Sequence, residues 1–417
     1  MVAQRLFVDP DAASRLAAWC WILGIALCAS VAVSQILLFI AALAALPALR
    51  RSGARLAVPP GGLLLAVFAS WTLASALLSA APRMALWESK EILLLGVPAL
   101  GAALLDGRQA AERAGIAALA AGAALSLWGI LEYTRGLPNP YERIRGPLSH
   151  HLTYAGIIML LWVAAAAWCR SPFPALRRAA LLALAPLGAA LLLNQSRSAW
   201  LGAAAGLGTL AARGPRRPAL ALLAAAALVV GLHPGLRARA ASLVDTAGDT
   251  SIEARRAMRR TGLRMIAEHP WFGTGPGGVP PAYARLQDSR YPLPLVQHLH
   301  SNLPQIAAER GIPAAAAWTA AWLLMAARLI PPAASIGPSP RRNPAADGPG
   351  RRGPGASLQA LWGAQVSRPE MAPAALAGLA AFCVMGMFEY NFGDAEPSTL
   401  LLGLLALPFT GGAGARQ

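Results

Sequence analysis

Charge is scarce in this chain. Of its 417 residues only 13% are Asp, Glu, Lys or Arg, while 56% are hydrophobic and the mean hydropathy is +0.49. A soluble globular protein carries about 25% charged residues, so that class is excluded. Lysine is almost missing: Lys90 is the only one, and the net charge of +17 is nearly all arginine. A GC-rich coding sequence favours Arg over Lys without any function. In a membrane protein a basic balance reports loops on the cytoplasmic side, so it does not by itself call for nucleic acid. Cysteine is down to four residues, Cys20, Cys28, Cys169 and Cys383, all inside apolar runs. That pattern gives small core residues, not disulfides or a cysteine metal site. Alternating strands are missing too, which excludes a β-barrel. The lack of an internal repeat argues against a duplicated transporter.

What is present is a series of Ala/Leu-rich runs, each about 17–25 residues and long enough to cross a bilayer as a helix. The predicted class is all-α, a polytopic transmembrane bundle of about twelve spans. The spans fall near 15–32, 34–49, 59–79, 91–105, 113–131, 153–169, 176–193, 198–212, 218–232, 303–329, 371–389 and 397–413. The first apolar stretch reads as a span and not as a cleaved signal, because many others follow it. With the N-terminus inside, the inside connections hold Arg50, Arg51 and Arg55; Arg108 and Arg113; Arg170, Arg177 and Arg178; Arg213, Arg216 and Arg217. The later inside segment holds Arg341, Arg342, Arg351, Arg352 and Arg368. This agreement with the positive-inside rule puts both termini in the cytoplasm.

The expected organisation is a transmembrane bundle over 1–232, an outside loop over 233–302 and a span over 303–329. A disordered cytoplasmic linker follows over 330–370, rich in Pro, Gly, Ser and Ala. The last two spans and the tail occupy 371–417. The outside loop carries nine arginines against five acids. Long loops cross regardless of charge, so the topology stands, but the arginines call for an anionic partner.

Three outside features could supply chemistry. The first is Asn194-Gln195-Ser196-Arg197-Ser198-Ala199-Trp200. Ser196 can cap a helix and Arg197 can snorkel. However, an arginine at a positive helix N-terminus is unfavourable without an anion. The second is a predicted helix from Ser251 to His269, where Arg255 and Arg259 are neighbours at i,i+4, as are Arg256, Arg260 and Arg264. Like charges at that spacing repel. The face suits either anionic headgroups or a pyrophosphate clamp, for which Arg offers a planar fork of donors. Ile252, Met258, Met265 and Ile266 give the helix an apolar side.

The third is His298-Leu299-His300-Ser301-Asn302, where polar sequence re-enters an apolar run. Three readings stay open: a metal site, two structural histidines, or a general base. A metal would need a third ligand, and Asp288, Glu309 and His269 are the scattered candidates. Ser301 or Asn302 reads as an N-cap, with Pro304 in the first turn and Gly311 as the stop. His300 would then sit at a helix N-terminus, which favours a neutral, proton-accepting imidazole. The turn Gly273-Thr274-Gly275-Pro276-Gly277-Gly278 could offer backbone N–H groups to phosphate, although a plain loop fits as well. Asp394 or Glu396 could orient a histidine.

Three motifs carry a family resemblance. They are Gln195-Ser196-Arg197-Ser198-Ala199-Trp200-Leu201-Gly202; Arg255 followed by the run from Gly262 through His269-Pro270-Trp271-Phe272-Gly273-Thr274-Gly275; and His298–Asn302 with Glu309-Arg310-Gly311-Ile312-Pro313. In order and spacing the chain resembles the O-antigen ligase / O-antigen polymerase superfamily of bacterial inner-membrane glycosyltransferases. Outside these motifs only hydropathy agrees.

The resemblance implies a bundle of about twelve helices with a periplasmic loop before a late span. It implies transfer of a glycan from undecaprenyl pyrophosphate to an acceptor hydroxyl, without a metal or nucleotide cofactor. By position, His300, Arg255 and Arg197 become the catalytic residues. Arg145, Arg259, His298 and Asn302 become substrate-binding candidates. The implied partners are the lipid-linked donor, lipid A–core or another hydroxyl acceptor, and membrane lipids, with no nucleic acid. Many members carry Asn directly after the histidine; here Ser301 stands there and Asn302 follows. No carboxylate pair is evident for a double displacement, which points to direct, inverting transfer. Ligation to lipid A–core is the expected activity. A polymerase or protein O-glycosyltransferase of the same superfamily is the alternative, and a transporter or flippase a more distant one.

Overall fold

The computed structural model describes residues 10–52, 58–136, 143–214, 216–244, 250–287, 292–293, 296–330 and 365–410. Among them every regular element is a helix. The N-terminal part runs α1 (Pro10–Ala26), α2 (Val31–Ser52), α3 (Gly62–Leu78), α4 (Pro82–Glu88), a 3-10 turn (Ser89–Gly96), α5 (Val97–Leu104) and α6 (Gly107–Thr134). Then come α7 (His151–Trp168), α8 (Pro174–Asn194), α9 (Arg197–Arg213), α10 (Arg216–Leu232), α11 (Pro234–Ala241), α12 (Thr250–Glu268) and α13 (Val279–Leu286). The last three are α14 (Asn302–Leu329), α15 (Ala372–Met385) and α16 (Ala395–Ala406).

A helix stands at each predicted apolar run, and the helices differ in length. Among the described residues four helices are long and apolar enough to cross a membrane: α6, α7, α8 and α14. The pair α10 and α11, bent by 106°, makes a fifth if counted as one span. Five other apolar helices are shorter. Local breaks account for the difference. The run at 91–105 is a 3-10 turn followed by a short helix with Pro98 in its first turn. The first run is cut by a turn over 27–30, where the backbone closes 3-10-type bonds such as Ser30 N–H to Leu27 O. The linker predicted over 330–370 falls almost wholly outside the described residues.

Helix α7 is the centre of the bundle, with every residue buried. It is hydrophobic all round, as a helix enclosed by others must be. It packs against α8, α9, α15 and α16. Small residues let α9 approach α15: a Cβ at Gly202 or Gly206 would meet the Ala381 or Ala377 carbonyl at 2.6 or 3.0 Å. Close packing through small residues is the common way for helices to associate in lipid. It also fixes the N-terminus of α9, and so Arg197, beside the C-terminal end of α15.

The second and third motifs form one joint. At Gly311 the backbone leaves helical geometry (φ 84°, ψ 167°) inside α14, a conformation open essentially only to glycine. A Cβ there would lie 1.9 Å from the Trp271 carbonyl oxygen. Gly311 therefore bends the helix instead of stopping it. The carbonyls freed at the bend accept Thr274 N–H and Gly275 N–H, at 2.9 and 2.8 Å, while Ile312 N–H donates to Pro270 O at 2.8 Å. From α3, Trp71 Nε1 donates to Trp271 O, and Ser75 Oγ donates to the Phe272 and Glu309 carbonyls. Arg310, 1% exposed, closes the joint with ion pairs to Glu309 and Glu91. A small core of Met265, Val279, Tyr283, Val296, Leu299 and Ala308, flanked by Met258 and Ile266, then seats α12 and α13 on the start of α14.

This joint also settles the glycine-rich turn. The amides of Gly273, Thr274, Gly275, Gly277 and Gly278 donate to His269 O, Ala308 O, Glu309 O, Glu309 Oε1 and Gly275 O. The N–H groups are already used, and a phosphate cradle is excluded there.

Candidate active site

Three cavities meet at His300. The first, about 440 Å³, is lined by Arg143, Arg197, Arg239 and Arg255 with His150 and His151. The second, about 390 Å³, shares Arg197 and Arg255, adds Arg256 and Arg259, and is otherwise largely apolar, with Leu201, Leu243, Ile252, Met387 and Phe388. The third, about 340 Å³, carries Glu389, Asp394 and Glu396 with His150, His298, Thr153 and Gln297. His300 lines all three. Arginines therefore face carboxylates across one histidine.

His300 sits one residue before the N-cap Ser301 of α14, in the left-handed region at φ 49°. A non-glycine residue there costs about 1–3 kcal/mol and persists only when its surroundings over-determine it. They do so here. Leu299 N–H donates to Gln305 Oε1 at 2.7 Å, and Asn302 N–H donates to Gly386 O at 2.7 Å. The Asn302 amide donates to Asn391 Oδ1 at 2.7 Å and accepts Phe392 N–H at 3.1 Å. Asn391 in turn donates to Phe382 O, and Ser398 Oγ bonds the Asn391 and Phe392 carbonyls. These bonds lock the loop between α15 and α16 to the start of α14.

That loop delivers Glu389. Its Oε1 is 2.9 Å from His300 Nδ1 and 4.0 Å from His298 Nδ1, and its Oε2 is 3.7 Å from an Arg255 guanidinium nitrogen. The side chain is only 5% exposed. Burial pushes its carboxyl up, but the hydrogen bond from His300 and the charged surroundings, Arg255 among them, outweigh this and hold it below the usual range. An ionised carboxylate can only accept, so His300 Nδ1 donates to it, and in the neutral ring the lone pair is then on Nε2. Burial, then the neighbouring His300, push His298 down to about 4, against the pull of Glu389. His298 is therefore neutral at physiological pH. Burial, with the charges of Glu396 and Glu389, pushes Asp394 up to about 7, while Thr153 Oγ1 donates to it at 3.1 Å.

The arginine side is held as firmly. Arg197, the first residue of α9, donates to the Ser242 carbonyl at 2.9 Å and its hydroxyl at 3.2 Å. Arg239 Nε donates to Gln195 O at 3.1 Å, and Gln195 is the other non-glycine residue with positive φ among the described residues. Arg143 pairs with His151 Nε2 at 3.2 Å.

Five of the seven sequence-predicted site residues line these cavities: His300, Arg255, Arg197, Arg259 and His298. Asn302, 3% exposed, stands behind them with both ends of its amide engaged, in the scaffold that aligns His300 with Glu389. Arg145 lines none of the three cavities. Its backbone N–H meets Glu132 and its guanidinium meets Ser149 O, while Arg143, two residues earlier, faces the first cavity. Sequence reasoning missed Glu389, Arg143, Arg239, His150 and His151. The available signal for Glu389 was its place at the end of the predicted span 371–389, since an acid in a predicted membrane segment marks function by default. The role considered for Asp394 or Glu396 is taken by Glu389.

Glu389 also supplies the third ligand that the metal reading needed. His298, His300 and Glu389 bring ligand atoms within 4.8 Å of one another. Glu309 is instead tied to Gly277 N–H and Arg310, and Asp288 lies outside the described residues. The Arg255 guanidinium beside Glu389 opposes a second cation at this place.

Against known proteins, residues 179–319 match the family model described as O-antigen ligase. No curated protein matches the chain. The matched segment runs from α8 into α14 and holds Arg197, Arg255, His298 and His300. Together with an all-helical architecture rich in apolar helices, this match supports membership of the O-antigen ligase/polymerase superfamily.

Proposed function

We propose that this protein transfers a glycan from undecaprenyl pyrophosphate to a hydroxyl of lipid A–core, on the periplasmic side of the bacterial inner membrane. The observation that carries the reading is the His300–Glu389 pair at 2.9 Å, set beside a cavity lined by four arginines. The pyrophosphate lies among Arg143, Arg197, Arg239 and Arg255, each charged hydrogen bond contributing about 1.5–3 kcal/mol. The polyprenyl tail follows the apolar second cavity. The acceptor enters through the carboxylate-lined third cavity, where acid side chains accept hydrogen bonds from sugar hydroxyls and repel a second phosphate.

The reaction is a single displacement. His300 Nε2 takes the proton of the acceptor hydroxyl as its oxygen attacks the anomeric carbon. The bond from that carbon to the phosphate oxygen breaks on the opposite side, its electron pair stays with the pyrophosphate, and the configuration inverts. Glu389 holds the imidazole in the proton-accepting tautomer and stabilises the imidazolium that forms. The arginines receive the charge as it grows, where fixed donors are most effective.

The test is reconstitution of the purified chain with a lipid-linked oligosaccharide and lipid A–core. His300→Ala is expected to abolish transfer while donor binding survives, and normal turnover in that variant overturns the base role. Transfer is expected to persist in chelator; its loss would put a metal on His298, His300 and Glu389 instead. Gene deletion separates ligase from polymerase. Loss of all polymer-bearing lipopolysaccharide with accumulation of lipid-linked polymer marks a ligase, and single-repeat lipopolysaccharide marks a polymerase.

A further inference from the structure

His150 has no part in the steps above and belongs to none of the three motifs. Yet, besides His300, it alone lines both the arginine cavity and the carboxylate cavity. It therefore stands where donor and acceptor meet. It is the N-cap of α7, in extended geometry at φ −133°, and its ring Nδ1 accepts the Leu152 N–H at 3.3 Å. A neutral imidazole has one donor and one acceptor nitrogen. Since the cap uses Nδ1 as acceptor, the proton is on Nε2. The neutral His300 ring is wired the other way, with Nδ1–H given to Glu389 and Nε2 as the acceptor. Burial pushes the His150 imidazole below its ordinary value, which keeps the ring neutral near pH 7. The His151 ring, 4.5 Å away between centroids and itself paired with Arg143, backs it.

We infer that His150 is a further substrate-contacting residue, whose Nε2–H donates a hydrogen bond to the sugar–phosphate oxygen of the lipid-linked donor. The inference rests on the glycan-transfer reading of this site. As the bond from the anomeric carbon to that oxygen breaks, the electron pair and the growing negative charge stay on the oxygen. A fixed N–H at that point stabilises the charge more in the transition state than in the ground state. His150 keeps its proton throughout; the acceptor's proton goes to His300. A guanidinium in this place would compete with His300 for Glu389, whereas a neutral N–H does not.

Two substitutions separate this role from the capping role. Asn is among the best N-caps, so His150→Asn keeps the acceptor for Leu152 N–H but removes the Nε2 donor. Gln carries its amide N–H further out, so His150→Gln restores a donor near the Nε2 position at the expense of the cap. Both are measured as purified full chain with an undecaprenyl-pyrophosphate-linked oligosaccharide, together with a thermal melt. His150→Asn is expected to melt like the native protein while kcat falls about 100-fold, the loss typical of one removed transition-state donor, with little change in KM for the donor. His150→Gln is expected to melt lower yet turn over faster than His150→Asn. Native kcat in His150→Asn overturns the inference and leaves His150 a helix cap. So does a rise in KM at unchanged kcat, because the contact is then remote from the breaking bond. His300→Ala in the same assay tells the two claims apart. If it is inactive while His150→Asn is native-like, only this inference fails; if it turns over normally, the transfer reading itself fails.

Discussion

The two cavities that share His150 and His300 differ in nearly every respect that matters for charge. One wall presents four guanidinium groups from α9, α11, α12 and the segment before α7; the other presents Glu389, Asp394 and Glu396 from a single loop and helix start. On the arginine side the charges are fixed and each named group is braced by a backbone or side-chain partner. On the carboxylate side they are adjustable, since burial pushes Asp394 up to about 7 while His300 and Arg255 hold Glu389 low. For the proposed transfer, this asymmetry would separate an anionic leaving group from an incoming hydroxyl. Fixed cations bind a group that is always charged, and a tuned carboxylate sets the tautomer of a base.

Four substitutions test that contrast. His300 joins the two sides, so His300→Ala is expected to have the largest effect, a loss of transfer at the upper end of the ~10²–10⁴-fold range of a positioned base, in single-turnover assays. Glu389→Gln follows, with a loss of about 10²-fold. An amide can either donate to or accept from Nδ1 and no longer enforces one tautomer; transfer at the native rate would remove Glu389 from the mechanism. Arg197→Ala and Arg255→Ala, each removing about 1.5–3 kcal/mol of charged hydrogen bonding, are expected to lose about tenfold to a hundredfold in kcat/KM. Arg255→Ala should be the worse of the two because it also strips Glu389 of its counter-charge; full activity in both would dissolve the arginine wall.

The smallest effect is on stability. Asp394 binds its proton more tightly folded than unfolded, so native stability falls as pH rises from about 4 to about 7 and stays lower above that. Asp394→Asn lacks this loss and is expected to melt higher than native at pH 8, with the gap closing below pH ~4. His298 works in the opposite direction in an overlapping window. Its folded value near 4 means that native stability falls as pH drops from about 6.5 to 4, a loss that His298→Gln should remove.

Much of this molecule was legible before any coordinates. Each apolar run became a helix, the Ser251–His269 pattern became α12 at Thr250–Glu268, and His300, Arg255 and Arg197 converge. Period, apolar length and capping residues are local properties, and local properties determine helices. The breaks were harder to read, because a run of Ala and Leu looks the same whether a helix passes through it or bends within it. At Gly311 the bend is decided by a Trp271 carbonyl arriving from forty residues away.

Composition and periodicity are enough to specify a helical membrane protein with arginines and a His-x-His run set apart from the apolar helices. Which acid serves His300 and which arginine faces the cavity follow from the packing of distant segments. Glu389 lies 89 residues from His300, and Arg143 faces inward where Arg145 does not. Such choices depend on how helices pack across the bundle, through contacts such as Asn302 with Asn391 and Gly202 with Ala381. No spacing along the chain encodes those distances.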